Sequence, residues 1–320
     1  MNKKRKAVIE ANKISTIEEF VLGGYPQKVL IEGKSDDLPV VITLHGGPGT
    51  PIPFCVGARG LFPDFTDNCI LVSWDQFGCG INNAKLPDDI SINDFVNMTA
   101  DLIKEIKRKF PKNALWLLGM SWGSVLSAMA CERSPEMIDG VITYGQVLYQ
   151  LMQSQEAIDA VMNSKAPQKI KDEIKTAADS KAFNKSSALK LSSAIRKYTY
   201  GYNDPNEPKA KIGEMIRGIM TSPDYKFKDF IAIVKNGYMK NTSLITELSK
   251  LDLRDTLKGV SVPYHILQGE TDLVTETKSI MSFVEKAENP NLTCKVIANS
   301  SHIPGMNGMQ AVFEEICNLK

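Results

Sequence analysis

An excess of charge of either sign is missing: 38 basic residues stand against 37 acidic ones, for a formal net charge of +1. That balance supplies no electrostatic funnel, so neither nucleic acid nor an anionic membrane surface is an expected partner. The one basic cluster, Lys3 to Lys6, is read as part of a solvated N-terminus. A signal peptide would continue into an apolar stretch, whereas Glu10, Lys13, Glu18 and Glu19 follow within a few residues. No apolar run is long enough to span a bilayer. Histidine is scarce, with only His45, His265 and His302, and none lies at helical or finger spacing from another ligand, so no metal site is expected. The six cysteines are scattered without a C-x-x-C pair. They read as reduced, mostly buried thiols of a cytoplasmic protein rather than a disulfide framework. Internal repeats and low-complexity tracts are absent, and "GCG" at Gly78 to Gly80 lacks the third glycine of a dinucleotide fingerprint.

What is present is ordinary globular composition, 43% hydrophobic and 23% charged over 320 residues. From about residue 28, β-rich runs alternate with helical patterns. "QKVLIEG", "PVVITLH", "CILVSWD", "ALWLLG" and "IDGVITYG" read as strands. "INDFVNMTADLIKEIKRKF" places Phe95, Met98, Leu102, Ile103 and Ile106 at helical spacing, and "WGSVLSAMACERS" is a second helix. This order predicts an α/β protein with an open, mostly parallel sheet and helices on both faces. After about Gln146 the pattern turns helical for roughly a hundred residues, in a stretch too long for a structureless loop. Beyond it, "VPYHILQG", "TETKSIMSFVEKA", "LTCKVIA" and "MQAVFEEICNLK" restore the alternation. Residues 1–145 and 251–320 are therefore expected to form one core, with residues 146–250 as a helical insertion.

The chemistry is expected at strand ends. "GMSWG" fits the G-x-S-x-G elbow that lifts a serine hydroxyl between a strand and a helix, which makes Ser121 a candidate nucleophile. A serine is a poor nucleophile without a base and an orienting acid. Asp272, in "GETDLVT", and His302, in "NSSHIPGM", follow the next two strands, in the chain order that such a triad uses. Asp272 could instead cap the following helix, with Thr275 sharing that work; Asp252 and Asp255 compete but precede a strand. His265 lies inside a strand and reads as structural. The charge that develops on an attacked carbonyl needs backbone donors. The Trp122 amide is one candidate, and Gly46 or Gly47 of "HGGPG" is the other, because Pro48 has no amide hydrogen.

Together "HGGPG", "WDQFGCG" and "GMSWGS", with the later Asp272 and His302, resemble the α/β-hydrolase superfamily, and more narrowly its proline iminopeptidase branch of serine aminopeptidases. The resemblance implies an α/β-hydrolase fold with a helical cap over the pocket, Ser121 as nucleophile, His302 as general base then acid, and Asp272 as its partner. It also implies a small-molecule or short-peptide substrate and no metal or organic cofactor. Family members commonly carry arginine where this chain has Phe77 and serine where it has Cys79, and a tryptophan-containing cap motif is absent. His45, Pro48, Phe77 and Tyr144 are candidate pocket residues, and Phe77 and Tyr144, like Trp122, Tyr149, Tyr198, Tyr200 and Tyr202, could line an apolar pocket or equally pack the core or cap. Among cap carboxylates, Glu156, Asp159, Asp204, Glu207 and Glu214 could pair with a substrate amine or form a solvated face. A carboxylesterase or acyl-transfer enzyme and a non-catalytic binding protein on the same scaffold are the rival readings. The oligomeric state is left open.

Overall fold

Runs of apolar residues too continuous for a half-exposed strand form the middle of one sheet. In the computed structural model, which describes residues 3–180, 185–208, 212–235 and 237–319, eight strands carry it. They are β1 (Ile14–Leu22), β2 (Tyr25–Gly33), β3 (Val40–Leu44), β4 (Ile70–Trp74), β5 (Leu115–Met120), β6 (Gly140–Tyr144), β7 (Tyr264–Gly269) and β8 (Leu292–Ile297). Their spatial order is β1-β2-β4-β3-β5-β6-β7-β8. β2 runs against both of its neighbours, and every other adjacent pair is parallel.

Alternate residues of the central strands point to opposite faces. Val40, Ile42 and Leu44 join one apolar layer with Phe95, Leu102 and Ile106 of the helix Ile92–Lys109 and Val125 of the helix Trp122–Arg133. Val41 and Leu118 face the other way, toward Ala311, Val312 and Ile316 of the helix Met306–Cys317. Covering on both sides explains why these strands are apolar without alternation. The edge strand β8 is half-exposed and carries Lys295.

Between β6 and β7 the chain forms the helices Gln155–Met162, Gln168–Asp179, Lys185–Tyr198, Ile212–Met220, Phe227–Lys235, Thr242–Leu248 and Arg254–Lys258, with no strand among the described residues of that segment. Ile158, Val161, Ile174, Leu191 and Ile195 give this segment a small apolar centre of its own. Within the segment expected to be helical, residues 181–184, 209–211 and 236 lie outside the described ones.

The N-terminus differs from the expected solvated segment. Residues Lys3–Ala11 form a helix whose Arg5 is buried, donating to the carbonyls of Arg59, Gly57 and Gly218 at 2.6, 2.8 and 2.6 Å. The polar stretch after it is β1, paired with β2 through a turn at Gly23 and Gly24, both at positive φ. Glu18 and Glu19 are tolerated there because β1 is an edge strand, and Glu18 pairs with Lys109 at 2.7 Å. The carboxyl ends of β3, β5, β7 and β8 lie along one rim, where the candidate residues are found.

Candidate active site

The turn from β5 into the helix Trp122–Arg133 is as sharp as the G-x-S-x-G pattern requires. Ser121 sits at φ 50° and ψ −115°, a backbone conformation uncommon for a residue with a side chain. The flanking glycines answer to contact. A Cβ on Gly123 would overlap the Leu44 carbonyl, and one on Gly119 would press on Ser127 and lie 2.7 Å from the Gly123 carbonyl oxygen. Without them the helix could not close onto β3 and β5 at this angle. The elbow therefore places the Ser121 side chain at the rim and the Trp122 amide at the first position of a helix, where no intrahelical acceptor exists.

The chain's most distant candidates meet at that hydroxyl. Ser121 Oγ lies 3.0 Å from His302 Nε2, and His302 Nδ1 lies 3.0 Å from Asp272 Oδ2. With Nδ1–H donating to the carboxylate, Nε2 is left to accept from the serine. Asp272 contacts His302 and also organises its own turn. Its Oδ1 accepts from the amides of Val274 and Thr275 at 2.8 and 3.0 Å, while Oδ2 takes both His302 and the Thr275 hydroxyl, the latter at 2.6 Å. It caps a turn rather than a helix, since the next helix, Thr277–Ala287, begins behind Glu276. Burial disfavours the ionised carboxylate of Asp272, but the charge and hydrogen bond of His302 and the Thr275 donors outweigh it and hold the group below the usual aspartate range. Asp252 pairs with Arg254 at the surface, and His265 is held by Glu315 at 3.0 Å.

The "HGGPG" loop lies against the elbow. A Cβ on Gly46 would stand 3.1 Å from the Met120 carbonyl oxygen and 3.4 Å from Ser121 Cβ, whereas the closest neighbours of Gly47 are Gly49 and Thr50 of its own turn. Gln76, which the sequence reading did not single out, ties the two segments together. Its side chain accepts from the Trp122 indole at 2.8 Å and donates to the His45 carbonyl at 3.3 Å, and its amide donates to His45 Nε2 at 3.1 Å. Only its place beside Asp75 in "WDQFG" could have drawn attention to it.

Several expected pocket residues are spent on structure. His45 is buried, with Nε2 accepting from Gln76 and Nδ1 3.0 Å from the Gly46 carbonyl, so neither ring nitrogen is left for a substrate. Burial lowers its pKa to about 4. Phe77 stacks on Tyr25 with ring centroids 4.2 Å apart and belongs to the apolar core. Tyr144 is buried and bonds through its hydroxyl to Ser300 Oγ and the Ser301 carbonyl, both at 2.7 Å, which makes it a support for the His302 loop. Pro48 is buried in its loop, and Tyr202 places its ring 5.8 Å from that of His302. Among the carboxylates, Glu156 pairs with Lys278 and Asp159 accepts from Gln155. Asp204 takes Thr271 and the Asn206 amide, and Glu207 takes Ser300 and the Gly308 amide.

A cleft of about 710 Å³, lined in part by Lys13, Asp36, Lys109 and Asn113, opens at the amino ends of the strands, across the sheet from Ser121. Among the described residues no cluster of His, Cys, Asp and Glu could hold a metal ion, and no helix is long and apolar enough to cross a membrane.

Comparison with known proteins bears on the fold and the family. A probable aminopeptidase of Bacillus subtilis (strain 168), YbaC, is 21% identical over 304 residues, covering 92% of this chain and 93% of that protein. A proline iminopeptidase of Lactobacillus delbrueckii subsp. bulgaricus is 24% identical over 289 residues, or 88% and 90% of the two chains. The crystal structure of proline iminopeptidase from Mycobacterium smegmatis superposes with a TM-score of 0.62 at 17% identity, covering 94% of this chain and 96% of that one. The model of the alpha/beta hydrolase fold family matches residues 39–308, from the first parallel strand through the loop that holds His302, and the chain belongs to that family.

Proposed function

We propose that this hydrolase works through Ser121, cleaving an amide or ester bond by way of an acyl-enzyme, as an aminopeptidase of the proline iminopeptidase kind acting on small peptides. The observation that carries the reading is the continuous hydrogen-bonded line from Ser121 Oγ through His302 to the buried Asp272, each link 3.0 Å. His302 Nε2 takes the hydroxyl proton as Oγ attacks the carbonyl carbon, and Asp272 stabilises the imidazolium that results. The Trp122 amide and the Gly46 amide, the nearer of the two glycine candidates, receive the developing oxyanion. Such donors are each worth about 3–4 kcal/mol in the transition state. His302 then gives its proton to the leaving amine or alcohol, and water activated at the same nitrogen releases the acyl group. The helical segment 146–250 acts as the cap, consistent with Tyr202 beside His302.

One observation favours a second reading, a carboxylesterase or acyl-transfer enzyme. Of the cap carboxylates considered for a substrate amine, Glu156, Asp159, Asp204 and Glu207 already have partners within the protein. Turnover of prolyl and alanyl arylamides against p-nitrophenyl butyrate separates the two. The aminopeptidase reading expects the arylamides to be cleaved, and hydrolysis of the ester alone selects the second. In either case Ser121→Ala should lower turnover by at least about 10³-fold with the fold intact. Unchanged turnover in that variant refutes the serine mechanism.

A further inference from the structure

We infer that Glu207, on a strap formed by residues 200–208 of the helical insertion, is a positioning residue that fixes His302 against Asp272; the inference rests on the serine-hydrolase reading of that pair. The strap reaches both loops on either side of their functional residues. Flanking Asp272, Thr271 Oγ1 donates to Asp204 Oδ2 at 3.1 Å and the Leu273 amide donates to the Gly201 carbonyl at 3.1 Å. Flanking His302, Ser301 Oγ donates to the Tyr200 carbonyl at 3.0 Å and the Ile303 amide to the Tyr202 carbonyl at 3.1 Å. The two loops leave different strands, β7 and β8, and the strap gives them a common reference outside the sheet.

Glu207 is the anchor of this arrangement. The helix Met306–Cys317, which follows the His302 loop, begins at Gly305 and so has no side chain of its own to cap it. Its free amides are met from the strap instead. The Met306 amide donates to the Pro208 carbonyl at 2.9 Å, and the Gly308 amide donates to Glu207 Oε1 at 2.9 Å. The same oxygen accepts from Ser300 Oγ at 2.8 Å, two residues before His302, and Ser300 in turn meets the Tyr144 hydroxyl at 2.7 Å. Glu207 is 6% exposed and has no ion pair among the described residues. The helix N-terminus and the serine supply its hydrogen-bond donors. Glu207 thus grips the His302 loop at both ends, from Ser300 and from Gly308. Removing it frees the imidazole to drift from the 3.0 Å contacts that proton transfer needs, without touching the acyl site.

The test uses the full chain with p-nitrophenyl butyrate for steady-state kinetics and a fluorophosphonate for the rate of serine labelling, with melting temperatures recorded for each variant. Glu207→Ala should lower kcat and the labelling rate about 10- to 100-fold while KM stays within about twofold, the signature of a misplaced base rather than a lost substrate contact. Glu207→Gln should recover most of the rate, because its amide oxygen can still accept from Ser300 and Gly308. Ser300→Ala, which removes the bonds to Glu207 and Tyr144 but no charge, should fall in the same direction and decides the matter if Glu207→Ala does not fold. A folded Glu207→Ala with wild-type kcat, a defect carried by KM alone, or a Glu207→Gln as slow as the alanine variant overturns the role. Ser121→Ala runs alongside. If it still turns over, the hydrolase mechanism itself is wrong, whereas an inert Ser121→Ala beside a fully active Glu207→Ala sinks only the positioning role.

Discussion

Residues of the "HGGPG" and "WDQFG" motifs divide their work in a way their spelling does not reveal. His45 and Gln76 sit beneath the loop that lies against Ser121, and their hydrogen bonds run between the two motifs and to Trp122. A protonated His45 would turn a donor toward the Gln76 amide, which is already a donor. Burial lowers the group from the ordinary 6.5 to about 4, against the Gly46 carbonyl, which favours the charged ring. Because the folded value is depressed, stability from neutral His45 is complete above pH 6.5 and is lost as pH falls toward about 4, by an amount on the order of 3 kcal/mol. Asp75 acts in the opposite sense. Burial raises it from 3.8 to about 6, so its share of stability is present at low pH and lost as pH rises through 6. Comparing urea unfolding of wild type with His45→Asn isolates the histidine. The gap between them should narrow by about 3 kcal/mol from pH 7 to pH 4, and a constant gap contradicts a buried neutral ring.

The same scale explains what could be read in advance. That Ser121, Asp272 and His302 come together was legible because each stands in a polar, glycine-bearing turn after a strand, the first two after the apolar β5 and β7, and a hydroxyl, an imidazole and a carboxylate in such turns have few structural reasons to recur. For Phe77 and Tyr144 the sequence left pocket wall and packed interior both open. An aromatic ring beside a functional motif fits a pocket wall or a core equally well until its neighbour is known, here Tyr25 for the one and Ser300 for the other.

Among the elements, the central strands were readable since burial on both faces leaves unbroken apolar runs, as in β3 and β5. β1 was not. An edge strand needs only one buried face, so "ISTIEEFVL" carries charges that also suit a solvated tail, and its partner is fixed by a turn rather than by hydrophobicity. The N-terminal helix was missed for a related reason. A lone arginine that satisfies backbone carbonyls looks, in sequence, like one more charge in a basic cluster. Arg5 links the chain start to Gly57 and Arg59 of the core and to Gly218 of the helical insertion. Arg5→Leu should therefore cost about 3 kcal/mol in chemical denaturation, since several buried carbonyls lose a charged donor at once. A change within about 0.5 kcal/mol would show that water replaces it.

For the whole molecule, the sheet serves to bring segments 181 residues apart, Ser121 and His302, into contact. Six parallel strands end on one rim, and the insertion between β6 and β7 returns to that rim through residues 200–208. Fold and chemistry are thus one arrangement, and the reactivity of a single hydroxyl reports on both. The most direct measurement is intact mass followed by peptide mapping after a fluorophosphonate is added to the folded protein. One adduct, on Ser121, whose formation slows by orders of magnitude in His302→Ala, is the predicted result. A folded protein that takes up no label, or carries it on a different serine, contradicts the mechanism.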